Sequence, residues 1–403
     1  MSTRRLYYDD AFQDSFVGQV LTCQPLSDSL GGVETTSWGV ILDQTQLYPS
    51  SGGQPNDLGK LGEANVMDVR DVENDDILHV VDRPVPTGRV AGCIDWPRRF
   101  DHMQQHSGQH LLSAVFSERF GRPTVSFHLG AEVSSIDLSG PQPSPQILEG
   151  AVRAANAAIF EDREITVRYG TAEQFASLGI RKQVDRPGIL RVIEIAGIDL
   201  QPCGGTHLRR TGQIGMILIR GCSKIRQDWR VEFVCGRRAE ACAQQDAELL
   251  ARISEQLKCA THDAGAAVER LLHERERSEK NLRMLMPRLA EAEAAARQKS
   301  VSAQSDGTVV VAEVLENVQP EYLQLLATAL TRSEKTIALL ALKETGSLVF
   351  AQNPGAGKDM SALLKGVLGQ LGGKGGGNRN FARGAPAESE KAGAALQLAK
   401  SLL

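Results

Sequence analysis

Over the first 90 residues, apolar and polar positions alternate in short runs broken by turn residues. "GVILDQTQLYPSSGGQPNDLGKLG" runs apolar into Gly, Pro, Asn and Asp punctuation, and "EANVMDVRDVENDDILHVVDRP" alternates as half-buried strands do. This predicts a small β-barrel or sandwich over residues 1–90. At "DWPRRFDHMQQHSGQHLLSAVFSERFG" the period becomes helical, with Met103, His106, His110, Ala114 and Ser117 recurring three and four apart. Gly121 and Pro123 close that helix. Strand-like "TVSFHLG" and "SSIDL", a helix over about 145–163, and then "LRVIEIAGIDL", "GMILIRGC" and "WRVEFVCG" make 91–238 a helix-and-sheet core.

From 239 to 300 the chain turns helical and charged. Val268, Leu271, Leu272, Leu282, Leu285, Leu289 and Ala292 recur at roughly heptad spacing, and Pro287 is expected to end or kink the second part. Fewer than four heptads fit the pattern, so a solvated helical hairpin linking domains and a dimerising coiled coil both stand. Residues 301–403 alternate strands ("TVVVAEVL", "KTIALLALKETGSLVFAQN") with helices near 320–332, 359–371 and 387–402, a small α/β domain. The fold class is therefore α+β: barrel, helix-and-sheet core, helical linker and C-terminal α/β domain.

Composition narrows the class. With 403 residues, 23% of them charged and 41% hydrophobic, the chain is long enough for two to three domains. No apolar run reaches the roughly 18 residues of a membrane span, and "MSTRRLYYDDAFQDSF" lacks the apolar stretch of a signal peptide. Seven cysteines, an odd number, suit a reducing compartment, so the cytoplasm is the expected location. A net charge of −4 argues against indiscriminate coating of nucleic acid. Any such contact must come from local basic patches.

The chemistry concentrates in two places. His106 and His110 lie four apart on one helix face, with Cβ atoms about 5–6 Å apart. Cys203 and His207 repeat that offset in the turn "DLQPCGGTHLRR", where Gly204 and Gly205 let the loop fold back. Together they give three nitrogens and one sulfur, a set suited to one Zn²⁺. Four protein donors are also the closed shell of a structural zinc, whereas catalytic sites usually keep a position open. A zincin needs Glu after the first His, where Ser107 stands. A zinc deaminase needs Glu where Gly108 stands. Further along, "GGKGGG" (372–377) offers backbone N–H groups for a phosphate, flanked by Lys374, Arg379 and Arg383, or else is a plain flexible loop.

"RRFDHMQQHSGQHLL" together with "QPCGGTHLRRTGQIG" resembles the second additional domain of alanyl- and threonyl-tRNA synthetases, which hydrolyses the ester between a wrong amino acid and tRNA. "LYPSSGGQPNDLG" resembles the glycine-rich barrel motif of alanine-type editing domains. "LGGKGGGNRNFARG" resembles the DHHA1-type C-terminal domain of alanyl-tRNA synthetase. With no aminoacylation core ahead of these motifs, the chain resembles free-standing alanyl-tRNA editing proteins of the long AlaX type. The resemblance implies zinc ligands at His106, His110, Cys203 and His207, and a place for Gln54 beside the editing cleft. It implies tRNA(Ala) as partner, held at its acceptor end by the core and through phosphates by the tail. Gln109 departs from the synthetase pattern, which often has a hydroxyl residue before the second histidine, and so changes the amino-acid pocket. Thr124 and Ser126 in "PTVSFHLG" can pair with a substrate hydroxyl or simply decorate a strand.

The expected activity is zinc-dependent deacylation of Ser-tRNA(Ala) or Gly-tRNA(Ala), with Gln54 and Gln109 as candidate catalytic groups. Serine differs from alanine by one hydroxyl, which an apolar activation pocket rejects poorly, whereas a site built to bond that hydroxyl rejects alanine well. The rivals are a structural-zinc module that binds tRNA or tethers to a synthetase without hydrolysis, and an unrelated metallohydrolase of small esters. A homodimer through the C-terminal part is a further expectation. No Asp or Glu flanks either ligand pair, so no general base is readable.

Overall fold

The computed structural model describes residues 2–403 other than 27–28, 31–32, 35–36, 177, 179 and 181–187. It divides into two compact units, Met1–Ala251 and Arg252–Leu403.

The first unit begins with a closed six-stranded barrel. Its order is Gly88–Ile94, Ser15–Leu26, Ser37–Leu42, Ile77–Val81, Ala64–Asp71, Gly59–Leu61. Gly88–Ile94 closes the ring by pairing antiparallel with both Ser15–Leu26 and Gly59–Leu61. The alternation read from the sequence is the barrel's inside and outside: Phe16 and Val20, and Val90 and Ile94, point into the core with Val40, Leu42 and Leu61.

His79 sits wholly inside this barrel, its Nε2 2.9 Å from Thr45 Oγ1 and its Nδ1 3.1 Å from the Val40 carbonyl. Burial, opposed by the Val40 carbonyl, pushes it down from 6.5 to about 4. The unfolded chain therefore takes up the proton first. Stability from this residue is whole above about pH 6.5 and is lost as pH falls toward 4, up to about 3 kcal/mol. Urea midpoints at about pH 7 and pH 4.5, with chelator present throughout, should differ, and His79→Gln should shrink the difference. An equal pH effect in both proteins removes His79 as its source.

Helix α1 (Trp96–Phe120) follows directly. Asp95 caps it by accepting the Arg98 N–H, and Gly121, left-handed at φ 61°, ends it. It is buried without a break from His102 to Phe116, polar residues included. A helix can hide that many polar groups only if most are answered. Gln105, for example, brackets Cys235 by donating to its carbonyl (3.0 Å) and accepting its N–H (2.9 Å). Around α1 stand helix α2 (Pro145–Phe160), a four-stranded sheet ordered Thr124–Leu129, Ser134–Leu138, Asp228–Cys235, Ile217–Ile225, and the three-stranded sheet Ile165–Gly170, Leu190–Ile195, Asp199–Pro202. Their apolar faces form one core with Leu111, Leu112, Phe116, Ile136 and Phe233.

The second unit opens with the helix Ala264–Ser300, which runs through Pro287 without ending there. Proline removes one helical hydrogen bond, but the flanking Leu, Met, Arg, Ala and Glu are strong helix formers and carry the helix past it. Val268, Leu271, Leu282, Leu285 and Leu289 are exposed on it. A five-stranded sheet follows, ordered Val309–Leu315, Thr336–Leu342, Leu348–Gln352, Phe381–Pro386, Gly373–Gly377. Pro320–Leu330 covers one face, and Met360–Leu371 with Ala392–Ser401 the other. The glycine run, read from the sequence as a phosphate cradle or a flexible loop, is thus mostly an edge strand. A Cβ on Gly375 or Gly384 would stand 2.8 or 2.9 Å from Leu368 Cδ1, so glycine is what lets the Met360–Leu371 helix lie on the sheet. Among the described residues, no helix is long and apolar enough to cross a membrane.

Candidate metal centre and adjoining cleft

Helix α1 delivers His106 and His110. The loop leaving strand Asp199–Pro202 delivers Cys203 and His207. Their ligating atoms all lie within 4.8 Å of one another, with Cys203 Sγ 3.4 Å from His106 Nε2 and 3.3 Å from His207 Nε2. A tetrahedral zinc, with bonds near 2.0–2.1 Å to nitrogen and 2.3 Å to sulfur, sets its donors roughly 3.3–3.6 Å apart. The two sulfur–nitrogen spacings already match, and no pair needs to close by more than about 1.5 Å.

Each imidazole is held from behind. Gln54 Nε2 donates to Thr206 Oγ1 (2.8 Å), so its Oε1 faces the other way, accepting the Thr206 N–H (3.1 Å) and lying 2.9 Å from His106 Nδ1. An amide oxygen only accepts, so His106 carries its proton on Nδ1 and turns Nε2 to the cluster. Asp199 does the same for His110, with Oδ2 3.2 Å from Nδ1. Ser107 Oγ, 3.2 Å from His207 Nδ1, also accepts the Leu208 N–H. Such partners fix ring tautomer and orientation at metal sites. The donor set and its supports fit a soft or borderline divalent cation.

The charges agree. Burial opposes ionisation of Cys203, but His106 and His207 outweigh it and hold the thiol well below its usual value. Burial likewise presses His110 down, yet its hydrogen bonds to Asp199 and Cys203 raise it to about 9. Burial and the neighbouring charge of His106 take His207 down to about 3. The neighbouring imidazoles thus favour the thiolate, the form that binds metal, whereas His110 has to give up a proton to a cation.

Gly205 closes the arrangement. A Cβ there would lie 2.2 Å from His106 Cε1 and 2.4 Å from its Nδ1. Gly205→Ala should therefore push His106 aside and weaken zinc affinity about tenfold or more, as loss of a supporting group does. Competition against a chromophoric chelator measures this, and unchanged affinity would show that the loop can move away.

His110 and Cys203 of the cluster line a cleft of about 360 Å³ whose walls include Tyr48, Gln109, Thr124, Ser126, Phe127 and Gln201. Of the residues singled out in the sequence, Gln109, Thr124 and Ser126 meet here. Thr124 donates to Ser113 Oγ (2.8 Å), and so does Gln109 (2.9 Å); Ser126 donates to Asp137 (2.5 Å). Gln54, 2% exposed, stands behind His106 and touches a ligand. Lys374, Arg379 and Arg383 belong to the second unit and are exposed. Lys374 sits on the edge strand and Arg383 on the strand paired with it, and Arg379 sits in the turn between them, donating to the Lys358 and Gly357 carbonyls. Sequence reading missed Asp199 and Gln201, both in "IDLQPC", and the supporting role of Ser107.

Residues 190–232 match the family described as the threonyl and alanyl tRNA synthetase second additional domain. Alanyl-tRNA editing protein AlaX-L of Pyrococcus horikoshii is 29% identical over 94% of this chain and 94% of its own. Alanyl-tRNA editing protein Aarsd1 of Mus musculus is 30% identical over 93% of this chain and 92% of its own. The chain belongs to the alanyl-tRNA editing protein family. Another member, Aarsd1-A of Xenopus laevis, is 38% identical over 53% of this chain and 54% of its own. The family model includes Cys203 and His207, and α1 with the other two ligands precedes it.

Proposed function

We propose that the chain is a trans-editing hydrolase that removes serine, and also glycine, from tRNA(Ala) with a zinc ion in the His106–His110–Cys203–His207 cluster. The observation that carries this is a His₃Cys cluster, two of whose members, His110 and Cys203, line a cleft roomy enough for an aminoacyl ester with its ribose, in a chain whose relatives are named alanyl-tRNA editing proteins. A bound zinc ion supplies Lewis-acid polarisation of the ester carbonyl or an activated water.

The chain's own residues orient and select. Gln54, Asp199 and Ser107 keep the three imidazoles aimed at the cluster. Phe127, its ring 5.8 Å from that of His106, makes one wall apolar and keeps water out. Thr124 and Ser126 spend their hydroxyl protons on Ser113 and Asp137, which leaves their oxygens able to accept a bond from a serine hydroxyl. Alanine brings no such donor, and the site's polar groups then go unanswered. In the second unit, Lys374 on the edge strand, Arg383 on its partner strand and Arg379 in their turn hold tRNA phosphates. The cytoplasm, where the cysteines stay reduced, is the proposed location; none of the seven is paired.

The closed set of four protein donors favours a second reading, a structural zinc in a protein that binds tRNA without hydrolysis. One assay separates them. Zinc-loaded protein incubated with Ser-tRNA(Ala), Gly-tRNA(Ala) and Ala-tRNA(Ala) should release serine at least about a hundredfold faster than alanine, and glycine, which also lacks the hydroxyl, more slowly than serine. Equal release of all three removes the selectivity, and no release leaves the structural reading. Lys374→Ala with Arg379→Ala should flatten the dependence of log affinity on log salt by up to about two contacts, near 0.7–0.9 each. An unchanged slope removes the phosphate contact.

A further inference from the structure

Two side chains lining the cleft are left unanswered by the protein. Gln109 Oε1 and Gln201 Oε1 are both buried, and no donor of the described residues reaches either. Gln109 is 3% exposed and its amide is pinned from the other end, Nε2 donating to Ser113 Oγ at 2.9 Å. Buried acceptors are almost always paired, because leaving one unmet forfeits its hydration with nothing in return. Two such oxygens in one cleft describe a place prepared for a donor-rich group.

Their positions say which group. Gln109 directly precedes the ligand His110, and Gln201 lies two residues before the ligand Cys203, so the cluster is flanked by one free acceptor on each of its two chain segments. In an aminoacyl ester the α-nitrogen is about 2.5 Å from the carbonyl carbon, through two bonds. A group held beside the ligands by these oxygens thus leaves the ester carbonyl close to the metal centre. The donor must offer several protons, since two acceptors wait for it. An ammonium has three and a serine hydroxyl one. The nearby carboxylates are already engaged: Asp137 by Arg230 (2.8 and 3.0 Å) and Ser126, and Asp199 by His110.

We propose that Gln109 and Gln201 form a cradle for the free α-ammonium of the aminoacyl group, so that the site recognises an unblocked amino acid ester by its amine before it reads the side chain. The inference rests on the deacylase reading above. It makes both glutamines substrate-positioning groups and makes N-blocked esters, peptidyl esters among them, poor substrates.

Non-hydrolysable 3′-amide analogues of aminoacyl-adenosine test it by calorimetry on the zinc-loaded protein. The seryl analogue should bind about tenfold or more tighter than the 3-hydroxypropanoyl analogue, which lacks only the α-amine. Gln109→Leu and Gln201→Leu should each erase most of that difference with zinc content unchanged, while Gln201→Glu should keep or widen it by offering a charged acceptor in the same shape. Two results overturn the cradle while leaving the deacylase reading intact, provided wild type still releases serine from Ser-tRNA(Ala). One is equal binding of the two analogues. The other is leucine variants that lose only the difference between seryl and alanyl analogues, which would make the glutamines hydroxyl readers. If wild type neither hydrolyses Ser-tRNA(Ala) nor binds the seryl analogue, the deacylase reading fails and the cradle with it. Should Gln109→Leu fold poorly, Gln201→Leu, on a half-buried strand, decides alone.

Discussion

Cys203→Ala should empty the metal centre. The thiolate is one of four donors and the one whose charge best matches a cation. Losing it removes roughly a quarter of the about 10–16 kcal/mol with which such sets hold zinc, and so weakens affinity a hundredfold or more. Deacylation should fall with metal content, in proportion. Cobalt substitution gives a readout independent of activity, because the sulfur-to-cobalt charge-transfer band of the wild type should be missing from the variant. If the band persists, another group supplies the sulfur; if activity survives in metal-free protein, the ion is not part of the reaction.

The second large effect lies away from the cluster, at the fully buried pair of Arg99 and Asp57. Arg99 Nε lies 3.0 Å from both Asp57 oxygens, and the same guanidinium donates to the carbonyls of Ala11 (3.0 Å) and Gln46 (2.6 Å). Asp57 in turn accepts the Tyr48 N–H at 2.7 Å. Arg99→Met strands a carboxylate and two carbonyls out of reach of water, which costs about 3–5 kcal/mol. In a unit of this size that lowers Tm by roughly 10 °C. Adding Asp57→Asn should recover part of the loss, since a neutral amide is cheaper to bury alone. A drop under about 2 °C for Arg99→Met would mean that water reaches the pair.

The ligand quartet was legible because it is local. Two i,i+4 offsets, one on a helix and one in a glycine turn, declare themselves in a single sequence. The long helix and the barrel strands were legible for the same reason, each carrying its own period. Asp199 was not, because it meets His110 across 89 residues, through the pairing of Leu190–Ile195 with Asp199–Pro202. Gln54 was visible as a polar residue near the cleft, but its place behind His106 depends on how the barrel loop packs against α1. The glycine run misled in the opposite way. Glycine has little strand propensity, and what makes 373–377 a strand is its pairing with Phe381–Pro386, with glycine needed at 375 where Leu368 packs, facts that no local pattern holds.

Gln54 joins three parts of the chain in one side chain: it comes from the loop after the barrel's first strands, holds a histidine of α1, and grips the backbone of the cysteine-bearing turn. The cluster is therefore fully supported only where barrel loop, α1 and turn meet. A helix-and-sheet core without its docked barrel has all four ligands yet lacks the amide that aims one of them and tethers the turn carrying two others. Metal affinity would then report on whether the barrel is packed against the rest of the first unit.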